Sequence, residues 1–428
     1  MPCPFESILH TNAVPTPTER QHIHEVQAFV DPHSLASPAR RLSDDLVREI
    51  FLASLPDTGN PAFNRNESPL LVAQISTSWR RIALSTPRLW SSMHIVVPHT
   101  THLGRLTEQI ISWLSRSGVA PLSISLVFSE AATPTLSGSL EQNAGTHVIS
   151  LLLILVAESH RWLDIDFTVP DTAARHFNLS LTSDDIPLLK SLVFSDGLPG
   201  DRRLIGPDPT PVHPQFPFLA TQSLRKLAIP IGCLDLRTPG AVLWHNLVHL
   251  AFEAGLSRGL TCATALNLLS QCHLLEYCAL PLYRSRRDPA VEIAPFTLPY
   301  LAELRLALPF HAGEAHTRFF SVMSLPALHS LHCTGSGFQG NGVLLCEYFF
   351  PNDVSTLQHL NFGVDAFPSG LFFEIIAKMT ALQTLCIRYH LRLEPRVQGS
   401  TSFVVGFPEI LAHLSIPEAD AGPFPYSA

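Results

Sequence analysis

The segment LAELRL, residues 301–306, contains the pattern that decides the fold of this chain. Its apolar side chains occupy the first, fourth and sixth positions, so apolar and polar side chains alternate through its second half. Such alternation is typical of a β-strand that buries one face. Pro299, two residues before the segment, is a turn-forming residue. The segment therefore predicts a short, half-buried strand that follows a turn.

The same pattern occurs ten times between residues 162 and 416. The units begin at Trp162, Leu189, Leu224, Leu247, Leu275, Leu301, Leu328, Leu357, Leu382 and Leu411. Their first positions lie 23 to 29 residues apart, except for a single interval of 35. Helical patterns, for example over residues 261–269, lie between several units, and alternating strands and helices predict a parallel sheet. A single unit cannot bury its apolar face alone, so neighbouring units must stack.

Residues 41–97 carry a different pattern, which predicts helices. Ser43 is a natural N-cap, and two aspartates follow it in the first turn, where the helix dipole favours anions. Apolar side chains then recur at helical spacing as far as Leu55. We expect this first helix to stop at Pro56, because the residue before a proline avoids the helical region.

A second helix is predicted to begin with Ser68 as N-cap and Pro69 as its first residue. Its apolar stripe consists of Leu71, Ile75, Trp79 and Ile82. Pro87 then begins a short helical turn that carries Trp90. This unit is too small to bury all of its large apolar side chains, so we expect the remainder to dock on another protein.

Between these two patterns, three more elements are predicted. A helix with apolar residues from Leu106 to Leu114 should end at Gly118. Residues 121–128 alternate like a strand, and residues 148–159 form an apolar helical run.

Residues 41–97 resemble an F-box, in the F-box-like form common in mushroom-type fungi. The sequence LSDDL, residues 42–46, matches the start of the family's motif, and EIF follows at residues 49–51. The family's tryptophan-arginine pair matches at residues 79–80, and its ALSTPRLW segment matches residues 83–90. The resemblance covers about the first quarter of the chain, and the motifs are specific only when taken together.

Two residues depart from the family pattern. Ser43 stands where the family has proline, and Ser76 stands where it usually has cysteine. Both departures predict weaker binding to the family's adaptor protein.

The whole chain is similar to a fungal F-box protein with an irregular leucine-rich-repeat tail. The implied fold class is α/β, with a small α-helical F-box followed by an irregular leucine-rich-repeat solenoid of parallel strands and helices. Residues 1–40 would be a flexible leader with a short helix near residues 17–30. Residues 41–97 would be the F-box-like domain, and residues 98–428 would be the irregular repeat domain that recognises a substrate.

This resemblance implies a substrate-recognition subunit of a Skp–cullin–F-box ubiquitin ligase, with a Skp-type adaptor, and through it a cullin, as partners. The implied adaptor-binding or F-box core residues are Leu42, Leu46, Ile50, Phe51, Leu71, Ile75, Trp79 and Trp90. An alternative stays open because of Ser43, namely a protein-interaction scaffold built on leucine-rich repeats that belongs to no ligase.

The alternation within the strands also predicts which side chains face the concave surface of the sheet. The polar or aromatic residues at these positions in the later units are Tyr277, Glu303, Arg305, His332, His359, Asn361 and Arg388. We predict that they bind a protein substrate, because concave faces of repeat proteins bind partners. A solvated face with chance polarity explains the same residues equally well.

The composition excludes several classes of function. The chain of 428 residues has a net charge of −8 with only 15% charged residues, so it lacks a basic surface for nucleic acid. It has no apolar segment suited to a signal peptide or a membrane span, which predicts an intracellular protein of the cytoplasm or nucleus. Its eight cysteines include no C-x-x-C pair, which predicts reduced thiols and no metal site.

A P-loop and an H-E-x-x-H helix do not occur in the sequence. The motif Gly335-x-Gly337-x-x-Gly340 follows a predicted strand, and Asp365 follows the next one, as in a dinucleotide-binding fingerprint. A glycine-rich loop between two units explains the motif without a ligand. We therefore predict a protein that is not an enzyme and holds no cofactor.

Overall fold

The computed structural model describes sixteen segments of the chain. They are residues 17–18, 20–21, 24–25, 42–97, 103–128, 150–169, 181–196, 216, 219–234, 236, 240–253, 259–282, 293–307, 319–334, 355–364 and 379–389. The described positions between residues 17 and 25 are helical, within the short helix predicted there. The motif from Gly335 to Gly340, Asp365 and the unit at Leu411 lie outside the described residues.

The described helices precede the sheet or lie between its strands. They are α1 (Asp44–Ala53), α2 (Val72–Ile75), α3 (Thr77–Leu84), α4 (Leu103–Ser117), α5 (residues 150–157) and α6 (Cys262–Leu269). Short 3-10 turns cover Pro87–Trp90, Ser159–Arg161, Ser183–Asp185, Ile231–Cys233 and Trp244–Asn246. None of these described helices is long and apolar enough to cross a bilayer.

The first helix begins where the sequence predicts. The Oγ atom of Ser43 accepts a hydrogen bond of 3.4 Å from the N–H of Leu46, which confirms Ser43 as the N-cap. Asp44, in the first turn, forms an ion pair with Arg81 of α3 at 3.0 Å. The helix ends at Ala53, so its last residue comes before the stop expected at Pro56.

The second helix was predicted as one continuous element, and this prediction is wrong. The chain is extended at Ser76 (φ −155°, ψ 164°), where α2 ends and α3 begins. The Oγ atom of Ser76 accepts a hydrogen bond of 3.1 Å from the N–H of Trp79. A serine side chain that satisfies a backbone donor in this way favours a helix start over a helix interior. The predicted start at Pro69 also differs, because α2 begins at Val72.

The described residues form a mixed α/β structure built on an eleven-stranded sheet. The strands are β1 (Ser92–Val97), β2 (Leu122–Phe128), β3 (Trp162–Val169), β4 (Ser191–Asp196), β5 (Lys226–Pro230), β6 (His249–Glu253), β7 (Tyr277–Pro281), β8 (Phe296–Thr297), β9 (Glu303–Ala307), β10 (Met323–Ser324), β11 (Ser330–Thr334), β12 (His359–Val364) and β13 (Thr384–Tyr389). Strands β8 and β10 pair separately, and the others follow one another in chain order. Every pairing is parallel, as the alternation of strands and helices predicts.

The register of the sheet aligns the apolar residue at the fourth position of each unit with its equivalent in the next unit. The aligned residues are Ile165, Leu192, Leu227, Leu250, Cys278, Leu304, Leu331, Leu360 and Leu385. We call this row the apolar ladder. All of its members are buried except Leu385, which is partly buried. Met93 of β1 and Ile124 of β2 extend the row, although the sequence pattern did not include them.

The first strand of the sheet lies inside the range predicted as the F-box-like domain. Strand β1 pairs with β2 over its whole length. The ring of Trp90 meets Trp113 of α4 edge to face, with 5.0 Å between ring centres, and Trp113 Nε1 donates to the Ser92 carbonyl at 3.2 Å. The guanidinium of Arg116 lies 4.5 Å from the Trp90 ring centre. The helices and the sheet therefore share one core.

A buried arginine fixes the end of α4, which stops before Gly118 (φ +55°) as predicted. Arg161 donates to the Ser117 hydroxyl at 3.1 Å and to the Ala120 carbonyl at 3.0 Å. Its guanidinium also forms an ion pair with Glu158 at 2.9 Å. Nothing in the apolar pattern of the sequence indicates this role, because it depends on contacts more than forty residues apart.

Candidate functional site

Four of the eight predicted F-box residues expose apolar side chains. Their exposed fractions are 55% for Leu46, 45% for Ile50, 43% for Leu71 and 56% for Ile75. Leu46 and Ile50 are four residues apart on α1, so they lie on one face of that helix. Leu71 and Ile75 have the same spacing at the start and the end of α2.

The other four predicted residues lie in the interior of the F-box-like range, residues 41–97, or at the edge of its packed core. Phe51 and Trp90 are fully buried, and the Nε1 atom of Trp90 donates to the Ala83 carbonyl at 2.9 Å. Trp79 is half-buried and meets Phe51 edge to face, with 5.0 Å between ring centres. Leu42 is half-buried as well. The structure thus separates packing residues from exposed ones, which the sequence could not do.

The second candidate surface is the face of the sheet opposite to the apolar ladder. Side chains alternate along each strand, so the residues before and after each ladder residue point to this face. The residues before the ladder form a first row, which includes Lys226, His249, Tyr277, Glu303, Ser330 and His359. The residues after the ladder form a second row, which includes Ala228, Ala251, Ala279, Arg305, His332 and Asn361.

Aromatic rings and a guanidinium contact one another on this face. The rings of His249 and Tyr277 are stacked, with 4.0 Å between ring centres and 4° between their planes. The guanidinium of Arg305 lies 5.6 Å from the centre of the Tyr277 ring. Its Nε atom donates to Glu303 Oε1 at 2.6 Å. Tyr277 therefore lies between His249 and Arg305.

The remaining predicted residues lie beside this cluster. His332 Nε2 lies 3.7 Å from Glu303 Oε1 and 3.0 Å from the Ser330 hydroxyl oxygen. His359 and Asn361 follow on the adjacent strand β12, and the Oδ1 atom of Asn361 is buried without a hydrogen-bond partner. Only the backbone of Arg388 is described, where it pairs with Gly363. The structure therefore brings Tyr277, Glu303, Arg305 and His332 together.

Burial and charge set the protonation of this cluster. Partial burial, followed by the positive charge of Lys226, lowers the pKa of His249, so His249 is neutral near pH 7. Burial raises the pKa of Tyr277, and the hydrogen bond to Glu303 raises the pKa of Arg305. Lys226 and Arg305 are the lysine and the arginine among the residues of the two rows named above.

Sequence reasoning did not include Lys226 and His249 in the predicted site. Both occupy the position before the ladder residue, like Tyr277 and Glu303 in the later units. Extending the same positional rule to the earlier units would have found them.

A smaller polar cluster joins the helical unit to the other end of the same face. The Nδ1 atom of His94 lies 2.8 Å from the Ser125 hydroxyl oxygen, to which the side-chain amide of Asn60 donates at 3.2 Å. Asp166 lies on the next strand, and partial desolvation raises the pKa of its carboxyl. These contacts attach the loop before α2 to the sheet.

The cysteines that lie near one another in the sequence pack in the core. Cys262, Cys272 and Cys278 are buried. Burial raises the pKa of the Cys272 thiol to about 12 and the pKa of the Cys278 thiol well above its usual range. Within the described segments, no group of three or more potential ligands could hold a metal ion.

No protein-family model and no curated protein matches this chain.

Proposed function

We propose that this chain is the substrate-recruiting subunit of a Skp–cullin–F-box ubiquitin ligase. In this proposal, α1 to α3 act as an F-box-like unit that binds a Skp-type adaptor inside the cell. The sheet and its helices act as an irregular leucine-rich-repeat solenoid that binds a protein substrate. The chain itself does no chemistry.

The observation that carries the proposal is the exposure of Leu46, Ile50, Leu71 and Ile75. Burying a leucine or isoleucine side chain completely contributes about 1.5–3 kcal/mol. Four such side chains left in water on two short helices favour a protein partner that covers them. They also stand at positions where the F-box resemblance implies adaptor contacts.

The two departures from the family pattern are compatible with this role. Ser43 caps α1 and Ser76 caps α3 through their side-chain oxygens. Ser43 therefore stabilises the helix that carries Leu46 and Ile50, and Ser76 stabilises the helix that follows Ile75.

The register of the sheet supports the repeat part of the proposal. Units of 23 to 29 residues, with one of 35, each add one parallel strand, and one apolar position aligns through nine of them. The mechanism would be proximity, because holding a substrate beside the ubiquitin-carrying enzyme raises its effective concentration.

Isothermal titration of the purified chain with a Skp-type adaptor tests the proposal. We expect saturable binding that is lost in the double variant Leu46→Asp, Ile75→Asp. The control variant is Leu274→Asp, because Leu274 is also an exposed leucine, directly before the unit that begins at Leu275 and far along the chain from α1. Full binding by the double variant would contradict the assigned surface. No binding by the wild-type chain would favour the scaffold alternative.

A further inference from the structure

Two cations on the exposed face of the sheet have unused hydrogen-bond donors. Lys226 is exposed, and its ammonium forms no hydrogen bond or ion pair within the described part of the chain. Arg305 is also exposed, and its Nε atom is held by Glu303. The two terminal nitrogens of Arg305 make no further polar contact with described residues. Both side chains can therefore bind an anion from outside.

The strand order fixes the separation of these two cations. Lys226 lies on β5 and Arg305 on β9, and β6 and β7 lie between them in the sheet. Neighbouring strands are about 4.8 Å apart, so three steps place the cations about 14 Å apart across the sheet. An extended peptide advances about 3.3 Å per residue, so about four residues cover this distance.

The surface between the two cations is shallow and bounded on one side. Ala228, Ala251 and Ala279 form an alanine floor in the second row, where their methyl groups leave room for a partner's backbone. The stacked rings of His249 and Tyr277 stand beside this floor in the first row. Because each ring covers a face of the other, the stack is a rigid wall.

Charge decides the chemistry of the partner. The chain as a whole has a net charge of −8, yet the permanent cations Lys226 and Arg305 border the alanine floor. The carboxylate of Glu303 is already engaged by Arg305 and lies near His332. Asp164 and Asp166 on β3 would repel an acidic partner beyond β5, and Glu253 at the end of β6 would repel one beyond the alanine floor, so the site is limited to the first and second rows of β5–β9.

We propose that the alanine floor with Lys226, Arg305 and the His249–Tyr277 stack binds an extended acidic segment of a partner protein. The segment carries two carboxylates four residues apart, with small or apolar side chains between them. One carboxylate pairs with Lys226 and the other with the terminal nitrogens of Arg305. The assignment of this segment to a ligase substrate rests on the proposed function, whereas the binding itself does not.

Fluorescence anisotropy with a labelled nonapeptide tests this site on the full-length chain without any adaptor. The peptide has glutamate at positions three and seven, with alanine, valine and alanine between them and serine elsewhere. We expect Lys226→Gln and Arg305→Gln each to weaken binding about 3- to 10-fold, because each removes one charged hydrogen-bonding partner. Raising the salt concentration should weaken binding of the wild-type chain as well.

Three controls make the test specific. Lys190→Gln removes an exposed lysine outside the site and should leave binding unchanged. Ala251→Glu places a carboxylate on the alanine floor and should reduce binding more than Ala251→Ser. A peptide with glutamine at position three should lose sensitivity to one of the two cation variants and keep sensitivity to the other.

Several results would overturn the site. They are no binding at millimolar peptide, equal binding of a peptide with both glutamates changed to glutamine, or stronger binding of a peptide with lysine at both positions. Thermal melts verify that the surface variants remain folded. Because the adaptor titration uses other residues, loss of peptide binding with intact adaptor binding rejects this site alone.

Discussion

Leucine and isoleucine side chains have opposite environments in the two regions of this molecule. In the sheet, the apolar ladder is buried along nearly its whole length. In α1 and α2, residues of the same types expose about half of their side-chain surface. The sheet buries its ladder against the helices and turns that share its core, whereas the short helices have one packed face and one uncovered face. Residue type alone therefore does not separate core from exposed surface.

Matched leucine substitutions give the largest expected difference between the regions. Leu304→Ala removes a fully buried ladder residue and should lower the free energy of unfolding by about 2–5 kcal/mol. Leu46→Ala removes an exposed side chain and should change it by less than about 0.5 kcal/mol. Urea denaturation followed by circular dichroism measures both. Equal losses of unfolding free energy would show that Leu46 is packed like Leu304 and would contradict the difference between the two regions.

Replacing Arg161, the buried arginine between the two regions, should give the next largest change in the free energy of unfolding. Arg161→Met removes the ion pair with Glu158 and the donors to Ser117 and Ala120, and should cost about 3 kcal/mol of unfolding free energy. Arg105→Met, at an exposed position of α4, is the control and should be nearly neutral. If Arg161→Met left the free energy of unfolding unchanged, the packing of methionine would compensate for the lost polar contacts, and the predicted role of Arg161 would be contradicted.

A substitution at the break between α2 and α3 should give the smallest change in stability, and the sign of that change tests whether the break exists. Ser76→Ala should destabilise the chain by about 1 kcal/mol because it removes the N-cap of α3. Ser78→Ala, inside α3 and exposed, should not destabilise it, since alanine is the better helix former. If Ser76→Ala stabilised the chain instead, residues 71–84 would form the continuous helix that the apolar stripe predicted.

The parallel sheet could be predicted from sequence because each unit repeats the same local pattern. Leu250, Leu304 and their equivalents recur at the fourth position of each unit, and parallel stacking follows from the alternation with helices. The helix break at Ser76 was missed because its apolar spacing, Leu71 to Ile82, fits a continuous helix. The break depends on the Ser76 side chain, which accepts a hydrogen bond from a backbone N–H, and apolar spacing does not show such a bond.

The candidate surfaces were predicted less completely, for physical reasons. The sequence identified Ile75 and Trp90 as one set, although one is exposed and the other buried, because burial depends on contacts with β1 and α4. It identified Tyr277 and Arg305, but not Lys226. The positional rule applies to Lys226 as well, but its distance from Arg305 depends on strand order, which no single unit contains.

Hydrogen-exchange mass spectrometry of the full-length chain, with and without a Skp-type adaptor, tests the central claim most directly. The account predicts slower exchange over residues 44–53 and 71–84 on adding adaptor, and unchanged exchange over residues 249–307. Protection confined to the sheet, or no protection anywhere despite binding of the adaptor by a reference F-box protein, would contradict it.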